Sequence, residues 1–143
     1  MKKLFILFVF LMALNTCAQE AYMGLTAGSW GKEPNFGADV RVSHSFLSAN
    51  AGYVFATTER ETFHVSIGVI PYQNDWFRVT ALWGHELNAD GEPKLILDTW
   101  FKLSRGVWGT AGVQSVQNHA YFNVGMQLKI YALFDKRTPK RFY

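Results

Sequence analysis

The stretch YFNVGMQLKIY, Tyr121–Tyr131, decides the fold class of this chain. From Phe122 to Ile130 every second residue is large and apolar, and the residues between them are small or polar. Strict alternation of this kind is typical of a β-strand that has one apolar and one polar face. We therefore predict a strand over Tyr121–Tyr131.

The same alternation recurs upstream, whereas helical periodicity is hard to find. Three apolar residues, Leu82, Ile96 and Trp100, interrupt the polar sides of their segments. The clearer predicted strands are Asn35–Ser43, Thr62–Val69, Trp76–Gly84 and Lys94–Leu103, and the weaker ones are Ala21–Gly28, Ser48–Ala56 and Val107–Gln114.

Turn-forming residues separate these segments and alternate between longer, polar connections and short ones. The predicted turns are Gly31–Pro34, Ser45–Leu47, Thr57–Arg60, Pro71–Asn74, Asn88–Pro93 and Ser104–Gly106. We predict an all-β fold, a single antiparallel up-and-down barrel of about eight strands.

The first residues predict export. Lys2 and Lys3 precede an apolar run, Leu4–Leu14, as in a secretory signal peptide. The run is too short to span a bilayer, which takes about 20 apolar residues. We predict a signal peptide over residues 1–18, cleaved after Ala18, a barrel domain over 19–134 and a basic tail over 135–143.

The only cysteine, Cys17, leaves a second processing route open. Leu14–Cys17 resembles a bacterial lipobox in its leucine and cysteine, but Asn15 and Thr16 stand where small residues are usual. Cys17 is therefore a possible lipidation site. Cleavage after Ala18 instead would leave no cysteine for a disulfide, a nucleophile or a thiolate metal site.

Composition limits the classes of partner. The net charge of +3 over 143 residues falls close to zero when Lys2 and Lys3 are removed, which argues against nucleic acid. Charged residues make up 17% of the chain, against about 25% in soluble domains, and aromatic residues make up 16%. Few charges and many aromatic residues suit a protein whose outer surface faces lipid, but they also suit an unusually apolar β-sandwich, so composition alone does not decide.

The polar face of the predicted strands decides which way they point. It carries Gly, Ser, Thr, Asn and Gln rather than the Lys and Glu of a solvated surface. We therefore predict that it fills a narrow barrel and that the apolar face contacts lipid. Its charges are expected to pair across strands as a polar plug, an interpretation that we favour over a gated ion path. They form a predicted interior polar network of Asp39, Arg41, Arg78, Asp98 and Lys102.

At this point the chain resembles the small eight-stranded outer-membrane barrels of Gram-negative bacteria, the OmpA-like class. The resemblance covers strand number, alternating faces, long and short connections, and the signal peptide. It implies an outer-membrane location, lipid as a partner, an interior filled by side chains, and both chain ends on the periplasmic side. The loops that would face outward are Trp30–Asn35, Thr57–Glu61, Glu86–Pro93 and Val116–His119.

The end of the chain departs from this class. A last strand that closes on the aromatic Phe134 would fit it, but the basic tail Asp135–Tyr143 follows. The tail is either a solvated end or a contact for anionic lipid head groups or the cell wall.

Signals for chemistry are weak. His64 and Ser66 lie on one face of a strand and are weak catalytic candidates for acyl transfer. No Asp or Glu is placed by the sequence to complete a triad, although Glu61 and Glu86 are possible partners. The histidines at 44, 64, 85 and 119 have no metal-binding spacing, and we predict no metal and no cofactor.

The sequence therefore predicts a structural or interaction role without identifiable catalysis. Two alternatives stay open: a soluble or lipid-anchored periplasmic β-barrel that binds an apolar ligand, and an outer-membrane lipid acyl hydrolase or transferase. The sequence identifies no protein partner and no oligomeric state.

Overall fold

The fold is a closed eight-stranded β-barrel. The structure, a computed structural model, describes residues 20–30, 33–56, 61–87, 92–116 and 119–130. Each strand pairs antiparallel with the next, and β1 pairs with β8, so the predicted all-β barrel is confirmed. The strands are β1 (Glu20–Trp30), β2 (Glu33–His44), β3 (Leu47–Ala56), β4 (Thr62–Gln73), β5 (Phe77–Glu86), β6 (Pro93–Ser104), β7 (Val107–Val116) and β8 (His119–Lys129).

No helix in the described ranges is long and apolar enough to cross a membrane.

Closure depends on the seam between β1 and β8. Its register extends from Tyr22 opposite Lys129 to Ser29 opposite Phe122. Beyond the last strand, the Ile130 amide still donates to the Ala21 carbonyl at 2.8 Å. Because closure leaves no edge strand, the backbone donors and acceptors of both seam strands are used within the barrel.

Three short turns lie at the end of the barrel that also carries Glu20 and Lys129, which we call the turn end. They connect β2 to β3 at Ser45 and Phe46, β4 to β5 at Asn74–Trp76, and β6 to β7 at Arg105 and Gly106. Ser45 (φ 54°) and Gly106 (φ 79°) adopt the left-handed conformation that tight hairpins need. The opposite end, where the other four connections join the strands, is called the loop end.

One predicted turn was wrong. Pro71–Asn74 was expected to end the fourth strand, but β4 continues to Gln73. The register between β4 and β5 shifts between Val69 and Tyr72, which forms a bulge at Pro71. A bulge tolerates proline because the ladder needs no amide hydrogen there. The turn follows instead at Asn74, whose Oδ1 accepts hydrogen bonds from the amides of Trp76 (2.9 Å) and Phe77 (2.7 Å).

The alternating faces take the predicted directions. Large apolar side chains cover the outer surface from β1 to β8, as Leu25, Ile67 and Phe122 illustrate. The three apolar residues that interrupt the polar pattern point inward, and Leu82, Ile96 and Trp100 are 1%, 4% and 0% exposed. They supply bulk to an interior that polar side chains of modest size would not fill.

A glycine allows the wall to bend between β4 and β5. A Cβ added at Gly84 would lie 1.9 Å from the Val65 carbonyl oxygen, so any side chain there would displace backbone. Close approach of strands is expected where a narrow barrel curves most sharply.

The predicted signal peptide, Cys17, Phe134 and the basic tail lie outside the described residues. The domain boundaries at 18/19 and 134/135 therefore stay predictions.

Matched leucine variants test whether the outer surface faces lipid. Leu25 lies in the middle of β1 and Leu103 at the end of β6, and both are well exposed, at 66% and 59%. In lipid bilayers we expect Leu25→Arg to lower the free energy of unfolding by about 2–4 kcal/mol and Leu103→Arg by about 1 kcal/mol or less, because the cost of a cation depends on its depth. Urea titrations in liposomes measure both, and equal small effects would contradict a lipid-facing surface.

Candidate functional site

The interior of the barrel contains a network of charged side chains, and one arginine organises the centre of this network. Arg41 of β2 reaches across the barrel to Asp98 of β6, with its Nη1 2.5 Å from Oδ2. Its Nη2 lies 3.3 Å from Asp39 on its own strand, and Nη1 also donates to the Thr80 hydroxyl at 3.2 Å. All three charged side chains are almost fully buried. One cation thus joins two carboxylates that β-sheet pairing alone would keep apart.

Amide side chains extend this central group. Asp39 accepts hydrogen bonds from the amides of Gln127 (2.8 Å) and Asn50, and Asn50 Oδ1 lies 2.8 Å from His64 Nε2. The chain of contacts therefore links β8, β2, β3 and β4. It satisfies the remaining lone pairs of a buried carboxylate, as a low-dielectric interior requires.

A second charged group surrounds Glu20 at the turn end. The Glu20 carboxylate lies 2.6 Å from Arg78 Nη2 and 2.7 Å from Lys129 Nζ. It also accepts hydrogen bonds from the hydroxyls of Tyr22 (3.0 Å) and Ser43 (3.5 Å). Two cations and two hydroxyls therefore hold one carboxylate at the first residue of β1.

Aromatic rings separate the two charged groups. The guanidinium of Arg78 lies 5.3–5.5 Å from the ring centroids of Tyr22, Trp100 and Trp108, and that of Arg41 lies 4.9 Å from Trp100. Tyr22 and Trp100 also meet edge to face, with centroids 5.1 Å apart. Cations on aromatic faces are favourable where water is excluded, so the rings both fill the interior and hold the arginines.

Little space remains in the middle of the barrel. A cavity of about 20 Å³ lies among the central polar residues, which is room for about one water molecule. A larger cavity of about 740 Å³, which we call the vestibule, occupies the turn end. Tyr22, Arg78 and Trp108 belong to its lining, and we call the side that they form its floor. The interior is thus a plug with a cup on one side.

The loop-end half of the interior contains buried charge that the sequence did not reveal. Glu86 and Lys94 are both 0% exposed, and this half of the barrel also contains a buried cluster of Val54, Val116 and Tyr121. The Lys94 ammonium has no hydrogen-bond partner among the residues that the structure describes. The sequence pattern places Glu86 in a loop and Lys94 at the first position of a predicted strand, so it assigns neither of them to the interior.

The structure brings together part of the predicted polar network. Asp39, Arg41 and Asp98 form the central group. Arg78 instead pairs with Glu20, which is outside the predicted network, and Lys102 lies over the ring of Trp76 at 5.4 Å. The alternation along the strands predicts that these charged side chains lie inside the barrel, but it does not predict which of them form ion pairs with each other.

The side chains of both weak catalytic candidates, His64 and Ser66, are buried in the interior of the barrel. His64 contacts Asn50 through Nε2, and the Ser66 hydroxyl has no hydrogen-bond partner within the described ranges. Glu86 is opposite His64 in the β4–β5 register, whereas Glu61 accepts a hydrogen bond from Tyr53 at the exposed surface. The pair therefore faces the plug rather than lipid.

Across the described part of the chain, no group of three or more His, Cys, Asp or Glu side chains could hold a metal ion.

Removing the central cation tests how strongly the plug depends on it. Arg41→Met would leave Asp39 and Asp98 buried without their partner, and we expect the free energy of unfolding to fall by about 3–5 kcal/mol. Lys102→Met, which removes a cation at the turn end, should cost about 1 kcal/mol or less. Urea unfolding followed by gel mobility compares the two, and equal costs would show that Arg41 does not organise the interior.

Comparison with solved structures finds transmembrane β-barrels. A de novo designed transmembrane β-barrel superposes with a TM-score of 0.71 at 12% identity, over 81% of this chain and 99% of the design. The solution structure of the designed barrel TMB2.3 gives 0.64 at 12% identity, over 81% and 98%. The Yersinia pestis outer-membrane protein Ail, in a phospholipid nanodisc, gives 0.53 at 8% identity, over 78% and 99%. At such identities the likeness shows the fold alone.

No protein-family model matches the chain, and no curated protein matches it.

Proposed function

We propose that this protein is exported, inserts into the outer membrane as a small barrel, and has a structural or interaction role there. The observation that carries the proposal is the outer surface, where apolar side chains of all eight strands surround a charged interior. Such an arrangement is stable in hydrocarbon, because every strand is paired and most of the large side chains on the outer surface are apolar. The predicted signal peptide supports export.

The filled interior supports an anchoring role rather than transport. The Arg41 group and the rings around Arg78 occupy the axis, and the central cavity measures about 20 Å³. An eight-stranded barrel is just wide enough for side chains to fill. What such a barrel offers its surroundings is therefore its lipid-facing surface and its two ends.

Neither alternative function gains support from the geometry. A barrel that binds an apolar ligand needs its Phe, Val and Leu side chains inside, whereas here most of them face outward. An acyl hydrolase or transferase needs its nucleophile at the lipid boundary, whereas Ser66 is buried inside the barrel.

Membrane fractionation tests the location. We expect the protein to sediment with outer membranes on a density gradient, to resist alkaline extraction, and to change its mobility on SDS gels after boiling, because closed barrels stay folded in cold SDS. Recovery as a soluble protein without detergent would contradict the proposal.

Ion flux tests the plug. Liposomes that contain the protein should release entrapped potassium no faster than empty liposomes, whereas liposomes with a wide-bore porin should release it at once. Reproducible discrete conductance steps in a planar bilayer would favour the gated ion path over the plug.

Lipid analysis tests the enzymatic alternative. The acylation of lipid A and phospholipids should be the same in cells that have or lack the protein, because the His64–Ser66 pair faces the plug. A change in acylation that Ser66→Ala abolishes would support the acyl hydrolase or transferase instead.

A further inference from the structure

The lining of the vestibule at the turn end carries more basic than acidic side chains. Its lining includes four basic side chains, Arg78, Lys102, Arg105 and Lys129, and two carboxylates, Glu20 and Asp75. Its volume of about 740 Å³ is within the range of small-molecule sites, about 300–1,000 Å³. Closure of an eight-stranded barrel requires only an interior that side chains fill, so a cavity of this size with this charge is not explained by closure alone.

The ion pairs inside the vestibule leave positive charge uncompensated. Glu20 is shared by Arg78 at 2.6 Å and Lys129 at 2.7 Å, so one carboxylate faces two cations. Among the described residues, no carboxylate lies within ion-pair distance of Lys102. The field inside the cup therefore attracts anions, and the walls of the cavity focus it.

The contacts of Lys102 hold its ammonium at the wall of the vestibule. Its Nζ lies 5.4 Å from the centroid of Trp76, and its backbone amide donates to the Trp76 carbonyl at 2.9 Å. An ammonium on an aromatic face keeps hydrogen-bond donors directed away from the ring, because the ring occupies only one side of it. Trp108 adds a second aromatic surface at the floor, against which the organic part of a ligand can pack.

The Glu20 group shows which chemistry this end of the barrel recognises. Four donors converge on its carboxylate, from Arg78, Lys129, Tyr22 and Ser43. Carboxylate and phosphate oxygens accept such charge-assisted hydrogen bonds in the same way. The vestibule thus already binds one anionic group, supplied by the chain itself, and Lys102 belongs to the same lining without a carboxylate at ion-pair distance among the described residues.

We propose that the vestibule binds a small multivalent anion through its phosphate or carboxylate groups, with Lys102 as a contact and the Glu20 group as the floor. This goes beyond an anchoring role, since it gives the turn end of the barrel a ligand. It is tested on the folded protein in detergent, so its failure is distinguishable from failure of the membrane proposal.

Calorimetric titration with inorganic pyrophosphate measures the site in a non-ionic detergent at low salt. We expect saturable binding that Lys102→Gln weakens about fivefold, as the loss of one partly exposed charge contact should. Glu20→Gln should strengthen binding by a similar factor, because Arg78 and Lys129 lose their internal carboxylate. Trehalose, which is uncharged, should not bind.

Lys32→Gln is the matched control, since Lys32 follows in sequence the end of β1 at Trp30 and precedes the start of β2 at Glu33, and both of these strand ends belong to the loop end. It changes the net charge by the same amount as Lys102→Gln and should leave pyrophosphate binding unchanged. Mobility on unboiled SDS gels shows that each variant is folded before it is titrated.

A second titration separates a free anion from a lipid head group. Mixed micelles with phosphatidylglycerol are compared with phosphatidylcholine micelles, using the same variants. Binding of pyrophosphate that depends on Lys102 supports a free anion, and binding of phosphatidylglycerol alone that depends on Lys102 supports a head group. Absence of both, or binding that Lys102→Gln and Lys32→Gln weaken equally, would overturn the proposal.

Discussion

A backbone placed in hydrocarbon must pair each of its amides and carbonyls within the protein, and most of this structure follows from that constraint. The seam between β1 and β8 meets it by closing the sheet, which leaves no edge. Closure with eight strands makes the interior narrow. The outer positions are apolar, as contact with lipid requires, whereas a charge buried on an inner position is stabilised by a partner inside the barrel, as Arg41 is by Asp39 and Asp98.

Those partners do more than neutralise each other. Arg41 connects β2 to β6, and Arg78 connects β5 to β1, so both ion pairs cross the barrel rather than follow the sheet. Trp100 lies against both guanidinium groups. The plug therefore braces opposite walls, which hydrogen bonds between neighbouring strands cannot do. The same bracing divides the interior into a filled middle and a cup at the turn end.

The fold was predictable from the sequence because successive side chains of a β-strand point to opposite faces. An alternation of apolar and polar residues therefore identifies both the strand and its two faces. The central network was predictable in its residue types. The ion-pair partners were not predictable, since pairing across a barrel depends on closure and register. Glu20, the partner of Arg78, lies one residue before the predicted strand Ala21–Gly28, so the strand pattern did not place its carboxylate in the interior. Leu82, Ile96 and Trp100 broke the pattern because a narrow interior needs bulk, and the bulge at Pro71 left no local signal beyond proline itself.

The ion pair between Glu20 and Lys129 joins residues 109 positions apart in the chain. A contact that closes so long a loop has a high entropic cost, so we expect it to form after the hairpins between neighbouring strands. Until the seam closes, β1 and β8 both present unpaired edges, the state in which a barrel is most exposed to misassembly. The salt bridge at the floor of the vestibule joins the first residue of β1 to the last residue of β8, so its formation reports that the two ends of the sheet have met.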